Sequence, residues 1–429
     1  MKKVIIERTD EYIYIDKLDN GLELYMLPNH NVNKYYLTLN TRFGSINTNF
    51  KYNSEVYNLP KGIAHFLEHL AFNMENGSAF DYYSKLGSSI NAFTTYDLTS
   101  YNVISNSKFK ENLEYLLEYV YTPYFTKELV NNEKGIICEE VKMYKDDPNM
   151  TIISGTLNNL FVKDERKYQV GGTISDVKEI KLEQIEACYN AYYHPSNMFL
   201  VITGNFNPEE ALAITKEKLL NFDFNRECNV KDIIPKEPEK INKEEDNILM
   251  NIDKPKLSFG VKIPKNNFKN LKMNDNIIKL YLELILRINF GSTSIILEEL
   301  KSSNIIDDLD YTIIETNEYY CMLFVASTFY PEYYRERILN KLDTLELVEE
   351  DIDRIKKVAI SDYILLFDSI TSVNNYIIDD IIDNKEFIPN LMDIYSNLNY
   401  DDALKILKRL NFDNNTVFRI MPKLIPNNH

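Results

Sequence analysis

The segment His65–His69, which reads HFLEH, constrains this chain more than any other feature of its sequence. The surrounding residues have the spacing of an amphipathic helix, and a rotation of about 100° per residue brings His65, Glu68 and His69 together on one side. Two imidazoles at positions i and i+4 can bind one Zn²⁺, and the glutamate between them can hold a water molecule at the metal. The opposite, apolar side of the predicted helix comprises Ile63, Phe66, Leu67, Leu70 and Met74.

A solvated helix face carrying two histidines and a glutamate is the alternative interpretation of the same pattern. The chain contains only five histidines, so two of them at ligand spacing around a glutamate favour a metal site. The order HxxEH is also that of the inverted zinc-peptidase motif. Because catalytic zinc usually has three protein ligands, a third ligand is expected elsewhere in the sequence.

The third ligand is predicted on another helix, within residues 126–146. Glu133 and Glu140 are predicted to lie in the middle of an apolar stripe, whereas Glu139 points away from it. The predicted stripe residues, which recur at helical spacing, are Leu129, Val130, Ile136, Ile137, Val141 and Tyr144. A carboxylate on an apolar face is costly unless it meets a cation or a metal. Glu140 is therefore the predicted ligand and Glu133 its supporting partner. The alternative for both glutamates is an exposed helix margin.

These residues resemble the M16 (pitrilysin-like) family of metallopeptidases, in which HxxEH is followed further along the chain by ExxxxxxE, as Glu133 and Glu140 follow His69 here. The resemblance implies one Zn²⁺ per chain, held by His65, His69 and Glu140, with Glu68 as the general base and Glu133 supporting the site. The resemblance extends over about residues 15–205 and includes the segments Asn20–Leu24, Gly44-Ser45, Ser89–Thr95 and Tyr193–Met198.

The resemblance also implies how a substrate binds. Asn91, Ala92 and Phe93 correspond to the edge strand of such enzymes, along which an extended peptide binds through backbone hydrogen bonds that tolerate many sequences. The expected activity is that of a zinc-dependent endopeptidase acting on short or unfolded peptides. The alternative is a zinc-containing peptide-binding or assembly subunit without proteolytic activity, although the retained Glu68 favours an enzyme. A nucleotide-dependent enzyme is disfavoured, because the sequence lacks GxGxxG and GxxxxGK[ST] patterns.

The expected fold is of the α+β class, with two structurally similar domains that each pack helices on a mainly antiparallel sheet. At 429 residues the chain exceeds what one core usually organises. Residues 222–245 are highly charged, contain two prolines and lack periodicity, which predicts a linker between domains at 1–221 and 246–429. The second half repeats the order of elements, but the helix that corresponds to the HxxEH helix, around 277–286, contains no histidine, so the second domain is expected to bind no metal.

The second half departs from the family in one respect. Self-sufficient members place an arginine and a tyrosine near the substrate carbonyl, in a segment that reads roughly R-x-x-R-G-L-A-Y. The corresponding stretch, 297–311, keeps Tyr311 as a possible carbonyl contact but has no arginine, and Lys301 lacks the planar fork of a guanidinium. The resemblance therefore implies a zinc-bearing subunit that pairs with a homologous metal-free sister, or with a homodimer mate. Because several such pairs are associated with the maturation of ribosomally made peptides, the resemblance implies that role for this chain and its sister.

Charge and cysteine content bear on the partners and location of the chain. The formal charge is −17, which argues against nucleic acid, because nucleic-acid binders carry basic stripes. No uninterrupted apolar run approaches the roughly 18 residues that span a bilayer, and the N-terminal residues include charges too early for a signal peptide, so no membrane partner is expected. The four scattered cysteines are expected to be reduced core thiols, which predicts a cytoplasmic protein.

Overall fold

The structure is a computed structural model that describes residues 1–225 and 228–423. The strands are β1 (Lys2–Ile5), β2 (Tyr12–Lys17), β3 (Glu23–Pro28), β4 (Tyr35–Thr41), β5 (Asn49–Tyr52), β6 (Glu55–Asn58), β7 (Asn73–Met74), β8 (Gly77–Ser78), β9 (Ser89–Thr94), β10 (Thr99–Ser105), β11 (Met198–Gly204), β12 (Lys231–Asp232), β13 (Glu245–Met250), β14 (Lys256–Pro264), β15 (Asp310–Glu315), β16 (Tyr319–Ser327) and β17 (Asn415–Pro422). The helices are α1 (Ile63–Ala71), α2 (Ala79–Leu86), α3 (Phe109–Tyr121), α4 (Lys127–Asp146), α5 (Pro148–Leu160), α6 (Ile174–Glu179), α7 (Leu182–Tyr192), α8 (Pro208–Leu219), α9 (Asp275–Phe290), α10 (Ile295–Ser302), α11 (Pro331–Asp343), α12 (Glu349–Leu366), α13 (Ile370–Asn384), α14 (Leu391–Ser396) and α15 (Tyr400–Leu407).

The first compact unit is built on a seven-stranded sheet with the order β1-β2-β3-β11-β4-β10-β9. Only β3 and β11 run parallel among these neighbours, so the sheet is mainly antiparallel. Helices α1, α3 and α7 belong to its apolar core, which includes Leu37 and Leu39 of β4 and Phe66 and Leu70 of α1. Strand β9 forms one edge of the sheet, and α1 packs against it. This arrangement brings the HxxEH helix beside an edge strand.

Helix α13, from the C-terminal half of the chain, also belongs to the first unit and packs on β4 and β11. The contact is polar, since the Thr38 hydroxyl donates a 2.9 Å hydrogen bond to the side-chain oxygen of Asn374. The amide nitrogen of Asn374 in turn donates to Thr203, and the Thr203 hydroxyl donates to the Ile370 carbonyl. Buried hydroxyl and amide groups are tolerated here because each finds a partner.

The second compact unit is built on a five-stranded sheet with the order β13-β17-β14-β16-β15. Its pairing repeats that of β3-β11-β4-β10-β9, including the single parallel pair, β13 with β17. Helix α5, which follows α4 in the first half of the chain, belongs to this unit and packs on β14 and β17. The packing is close, because a Cβ atom added at Gly155 would lie 2.3 Å from the ring of Phe418.

The predicted fold class is confirmed, since the chain forms two α+β units with similar, mainly antiparallel sheets. The first unit consists of residues 1–141, 169–234 and 362–392. The second unit consists of residues 142–168, 235–361 and 393–429. One of the points at which the chain passes between the units, Ile234 to Pro235, lies within the predicted linker. Arg226 and Glu227 of that linker lie outside the described residues. The sequence did not indicate that α5, from the first half of the chain, belongs to the second unit, or that α13, from the second half, belongs to the first. The domain limits 1–221 and 246–429 stay predictions.

One helical stretch in the described part of the chain, Asp275–Ser302, is long and apolar enough to cross a membrane by composition alone. Of its most apolar window, 67% is buried inside the protein. Core helices of globular units have the same composition, and this stretch comprises α9 and α10, whose buried residues include Leu282, Ile285 and Leu300.

A fully buried ion pair anchors the second unit. The ammonium of Lys262 on β14 lies 2.6 Å from Glu237 Oε1 and donates to the carbonyls of Leu160 and Pro238. Glu237 also accepts backbone N–H groups from the segment 162–164, which follows α5. Burial alone would raise the pKa of Glu237, but these donors outweigh it and hold the pKa below its usual value. The pair fastens the end of α5 to the sheet that it covers.

We predict that Glu237→Ala lowers the free energy of unfolding by about 3–5 kcal/mol, because it leaves the Lys262 charge buried without its carboxylate. Urea denaturation followed by circular dichroism measures the loss. The matched control is Lys243→Ala, which removes an exposed pair with Asp246 and should cost under about 1 kcal/mol. Equal losses in the two variants would contradict the anchoring role of the buried pair.

Candidate metal centre

Helix α1 begins immediately after Gly62, where the backbone turns with φ 81° and a neighbouring loop approaches closely. A Cβ atom at Gly62 would lie 2.3 Å from the carbonyl oxygen of Gly171, and one at Gly172 would lie 2.5 Å from that of Lys61. Only glycine fits both the left-handed φ and the contact. The helix is shorter than predicted, because it ends at Ala71 and the predicted face residue Met74 lies in strand β7 instead.

The two histidines of α1 and one glutamate of α4 come together as predicted. Within the described residues, His65, His69 and Glu140 form a group whose candidate ligand atoms all lie within 4.8 Å of one another. Glu140 Oε2 is 3.2 Å from Nε2 of His69 and 3.7 Å from Nε2 of His65. The three side chains therefore converge on one point.

Glu133 occupies the supporting position that the sequence predicted. Its Oε1 lies 2.9 Å from Nδ1 of His69. A carboxylate at Nδ1 accepts a hydrogen bond from the ring there and directs Nε2 toward Glu140, which is how carboxylate partners orient metal-binding histidines. Glu133 thereby fixes the orientation of His69.

The orientation of α4 is only partly as predicted. Its buried residues are Val130, Ile137, Cys138 and Val141, whereas the predicted stripe residue Ile136 is 58% exposed. Glu133 and Glu140 are half-buried at the margin of this stripe and not in its middle, because the buried face is centred on Ile137 and Val141. Glu139 is exposed, as predicted. From this margin both glutamates contact His69 of α1.

Glu68 lies beside the three converging side chains but is not one of them. It is buried, and its Oε2 accepts a 2.6 Å hydrogen bond from the hydroxyl of Thr94 on β9. Burial raises the pKa of Glu68 to about 7, although the Thr94 hydrogen bond opposes the shift. A carboxyl group with this pKa can both accept and return a proton near neutral pH. Thr94 was not predicted to be a site residue, and no local sequence pattern indicates this contact with Glu68.

The two histidines differ in their proton affinity. Burial, together with the nearby His69, lowers the pKa of His65 to about 4, so this ring is neutral and able to bind a metal. Burial also lowers the pKa of His69, but the hydrogen bonds that its ring donates to the carboxylates of Glu133 and Glu140 outweigh that effect and raise the pKa to about 10. The carboxylates of Glu133 and Glu140 thus produce a negative electrostatic potential near Nε2 of His69, which attracts a cation.

The donor set fits zinc. Two imidazole nitrogens and one carboxylate form the three-ligand set of catalytic zinc sites, which keep a further position for water or substrate. A hydrogen-bonded carboxylate behind one histidine, here Glu133, completes the usual surroundings of such a site.

The other predicted site residues fall in two places. Asn91, Ala92 and Phe93 lie on β9, the edge strand beside α1, so the predicted edge position is correct. Tyr311 lies on β15 in the second unit, where Arg287 of α9 opposes the rise in pKa that burial causes. Arg287 was not among the residues predicted from the sequence, since it precedes the stretch 297–311. Lys301, considered there as a replacement for the family arginine, pairs with Asp308 at 3.0 Å.

An α+β chain of two similar units, with HxxEH and a distant glutamate converging in one of them, belongs to the class of inverted-motif zinc metallopeptidases. Sequence comparison identifies the family. The models of the insulinase (peptidase family M16) domain and the M16 inactive domain match residues 53–174 and 179–363. The chain therefore belongs to the M16 peptidase family.

Individual proteins agree with this assignment. The chain is 35% identical to the uncharacterized zinc protease YmfH of Bacillus subtilis over 312 residues, which are 72% of each chain. A putative M16-like peptidase from Alicyclobacillus acidocaldarius has the same fold, with a TM-score of 0.91, 24% identity and coverage of 98% of this chain and 100% of that one. The periplasmic protease PqqL from Escherichia coli aligns with a TM-score of 0.73 and 17% identity, and this chain covers 48% of its length.

We predict that Glu140→Gln removes most of the bound zinc, because one of the three ligands loses its charge. Glu133→Gln should weaken zinc binding about 10–100-fold, since it leaves the ligands in place but releases His69. Metal analysis after competition with a chelator measures both. Glu139→Gln is the matched control and should bind zinc normally. Undiminished zinc in Glu140→Gln would remove the basis for the ligand assignment.

Proposed function

We propose that this chain is a zinc-dependent endopeptidase that hydrolyses short or unfolded peptides. The observation that carries the proposal is the convergence of His65, His69 and Glu140 within 4.8 Å beside a buried glutamate, Glu68, that is not part of the group. A purely structural metal site has no use for a proton acceptor at that position. Its relative YmfH is named a zinc protease, which agrees with this chemistry.

Each residue of the site has a separate proposed role in hydrolysis. His65, His69 and Glu140 would hold one Zn²⁺, which when bound polarises the scissile carbonyl and acidifies a water molecule. Glu68 takes the proton of the attacking water and delivers it to the nitrogen of the leaving amine. Thr94 holds Oε2 of Glu68, so the proton is transferred at Oε1.

The substrate is proposed to bind along β9. Ala92 is paired with Tyr101 of β10 on one side, and the other side of the strand is the edge of the sheet. An extended peptide that adds to this edge at Asn91, Ala92 and Phe93 binds through its backbone, so selection depends on size and flexibility more than on one side chain. Thr94 belongs to the same strand and thus links substrate position to the orientation of Glu68.

We predict that Glu68→Gln abolishes peptide hydrolysis, because the amide cannot accept the proton, while zinc content and circular dichroism stay unchanged. Cleavage of an internally quenched fluorescent peptide measures the activity, and Glu139→Gln serves as the matched control on α4. Loss of metal in Glu68→Gln would make Glu68 a ligand and contradict the mechanism. Unchanged cleavage would favour a contaminating protease over this site.

The active form is proposed to contain a second M16 subunit. PqqL is about twice as long as this chain, so this chain has about the length of one half of PqqL. The stretch 297–311 lacks the arginine that self-sufficient members carry, and Lys301 there is engaged by Asp308. A homologous metal-free sister would supply the missing donors to the substrate carbonyl. Maturation of a ribosomally made peptide in the cytoplasm is the role that we assign to the pair.

The isolated chain should therefore cleave flexible peptides weakly, and a metal-free sister should raise the rate through kcat more than through KM. One electrostatic donor to a carbonyl typically contributes about 10²–10³ in kcat, so the stimulation should be of that order. Steady-state kinetics with and without the sister measure it. Full activity of the monomeric chain alone would show that its own groups, such as Tyr311, complete the site, and the two-subunit proposal would fail. Zinc binding without cleavage in either sample would favour the peptide-binding alternative.

A further inference from the structure

The carboxyl group of Glu68 is held in place by a single side chain. Glu68 is only 6% exposed, and among the described residues the hydroxyl of Thr94, 2.6 Å from Oε2, is the only hydrogen-bond partner of its side chain. A buried carboxyl group with one such partner depends on it for its direction, because no second hydrogen bond restrains its rotation. The position of Glu68 beside the metal-binding side chains therefore depends on Thr94.

The direction of this hydrogen bond is fixed by Thr99, which pairs with Thr94 across β9 and β10. The two hydroxyl oxygens are 3.4 Å apart, and the hydroxyl of the fully buried Thr99 donates its hydrogen to the carbonyl of Phe43 at 2.8 Å. Thr99 can therefore accept a further hydrogen bond but cannot donate one, which leaves the single hydrogen of Thr94 for Glu68. Because threonine is stiff about χ1, the direction of the Thr94 hydroxyl follows the backbone of β9.

The backbone of Thr94 faces the open edge of the sheet. Immediately after β9, the N–H of Thr95 donates to the carbonyl of Leu98 at 2.7 Å, so these two residues form a hydrogen-bonded pair. Such pairs alternate along antiparallel strands, so the backbone groups of Thr94 and Ala92 point away from β10. The N–H of Ala92 agrees with this, since it donates to the side-chain oxygen of Asn91 at 2.9 Å. Thr94 thus presents its side chain to α1 and its backbone to the edge.

We propose that Thr94 is a positioning residue that aligns a bound peptide with Glu68, because this one residue holds both of them. A peptide that adds to the edge of β9 replaces the side-chain oxygen of Asn91 at the N–H of Ala92 with one of its own carbonyls, and meets the backbone of Thr94 two residues further on. A peptide too short to pair there reaches Glu68 without this alignment. Extended peptides are therefore favoured over short ones through kcat, because alignment of the reacting groups acts on the chemical step. The inference rests on the proposed function and extends it to the class of peptide that is cleaved fastest.

The first test combines a change at Thr94 with a change in substrate length. The probes are two internally quenched peptides with the same scissile bond, one of ten residues and one of four, cleaved by the zinc-loaded chain together with its sister subunit. In the unsubstituted chain, kcat for the long peptide should exceed that for the short one about 10–100-fold. Thr94→Val, which removes the hydroxyl and keeps the shape of the side chain, should abolish most of this difference and leave KM for the long peptide within about twofold. Thr94→Ser, which keeps the hydroxyl, should restore the difference.

Two results of this experiment would overturn the inference. An equal fall in kcat for both peptides in Thr94→Val would show that Thr94 does not align the peptide. A rise in KM with unchanged kcat would show that Thr94 is a substrate contact instead. Thr203→Val is the matched control, because it removes another hydroxyl of the same sheet, one that donates to the Ile370 carbonyl at 2.8 Å, and it should leave the length dependence unchanged.

The second measurement does not require turnover. The probe is a fluorescein-labelled ten-residue peptide hydroxamate, and its binding to the zinc-loaded chain is followed by fluorescence anisotropy. A hydroxamate gives up a proton to a neighbouring base when it binds a metal, so its affinity depends on the position of Glu68. Thr94→Val should weaken binding of the hydroxamate about 10–100-fold and binding of the corresponding amide by less than about twofold.

This measurement also separates the inference from the proposed function. Hydroxamate affinity that is unchanged in Thr94→Val would overturn the inference, even in a chain that cleaves peptides. Hydroxamate affinity that depends on Thr94, in a chain that cleaves no peptide with or without a sister, would contradict the proposed function alone.

Discussion

The burial of polar groups on α1 is the constraint on which the first unit depends. His65 and Glu68 are both less than a tenth exposed, yet the helix carries a continuous apolar face on its other side. Buried imidazole and carboxylate groups are stable only when other polar groups meet them. Glu140 and Glu133 of α4 meet that need for His69, and Thr94 of β9 meets it for Glu68. Among the described residues, Nδ1 of His65 is buried without a hydrogen-bond partner, so His65 depends on Glu140, 3.7 Å from its Nε2. The metal centre and the packing of α4 against α1 thus have the same cause.

Local periodicity was enough to predict much of this arrangement. Helix α4 lies within the predicted range 126–146 and ends at the same residue, Asp146. The choice of Glu140 over Glu139 agrees with the structure, because helical spacing decides which side chains share a face. Local periodicity could not predict that α5 belongs to the second unit and α13 to the first. Which sheet a helix covers depends on long-range packing, and a sequence such as that of α13, whose Asn374 meets Thr38, does not indicate its distant partner.

The prediction that Ile136 lies on the buried face of α4 was wrong for a related reason. An apolar residue at helical spacing was assumed to be buried, but the true buried face of α4 is centred on Ile137 and Val141. Single exposed apolar side chains are common, so spacing alone places the centre of a helical stripe only approximately. Arg287 was missed because it precedes the stretch 297–311 in which an arginine was sought, and its proximity to Tyr311 depends on how α9 packs beside β15.

The central claim is that His65, His69 and Glu140 hold zinc in the first unit, with Glu68 outside the ligand set. X-ray absorption spectroscopy of zinc in the purified chain tests it most directly. The account predicts a first shell of nitrogen and oxygen only, at about 2.0–2.2 Å, with the outer-shell signal of two imidazoles that falls to one in His69→Ala. A sulfur scatterer at about 2.3 Å, or an all-oxygen shell, would contradict the assignment.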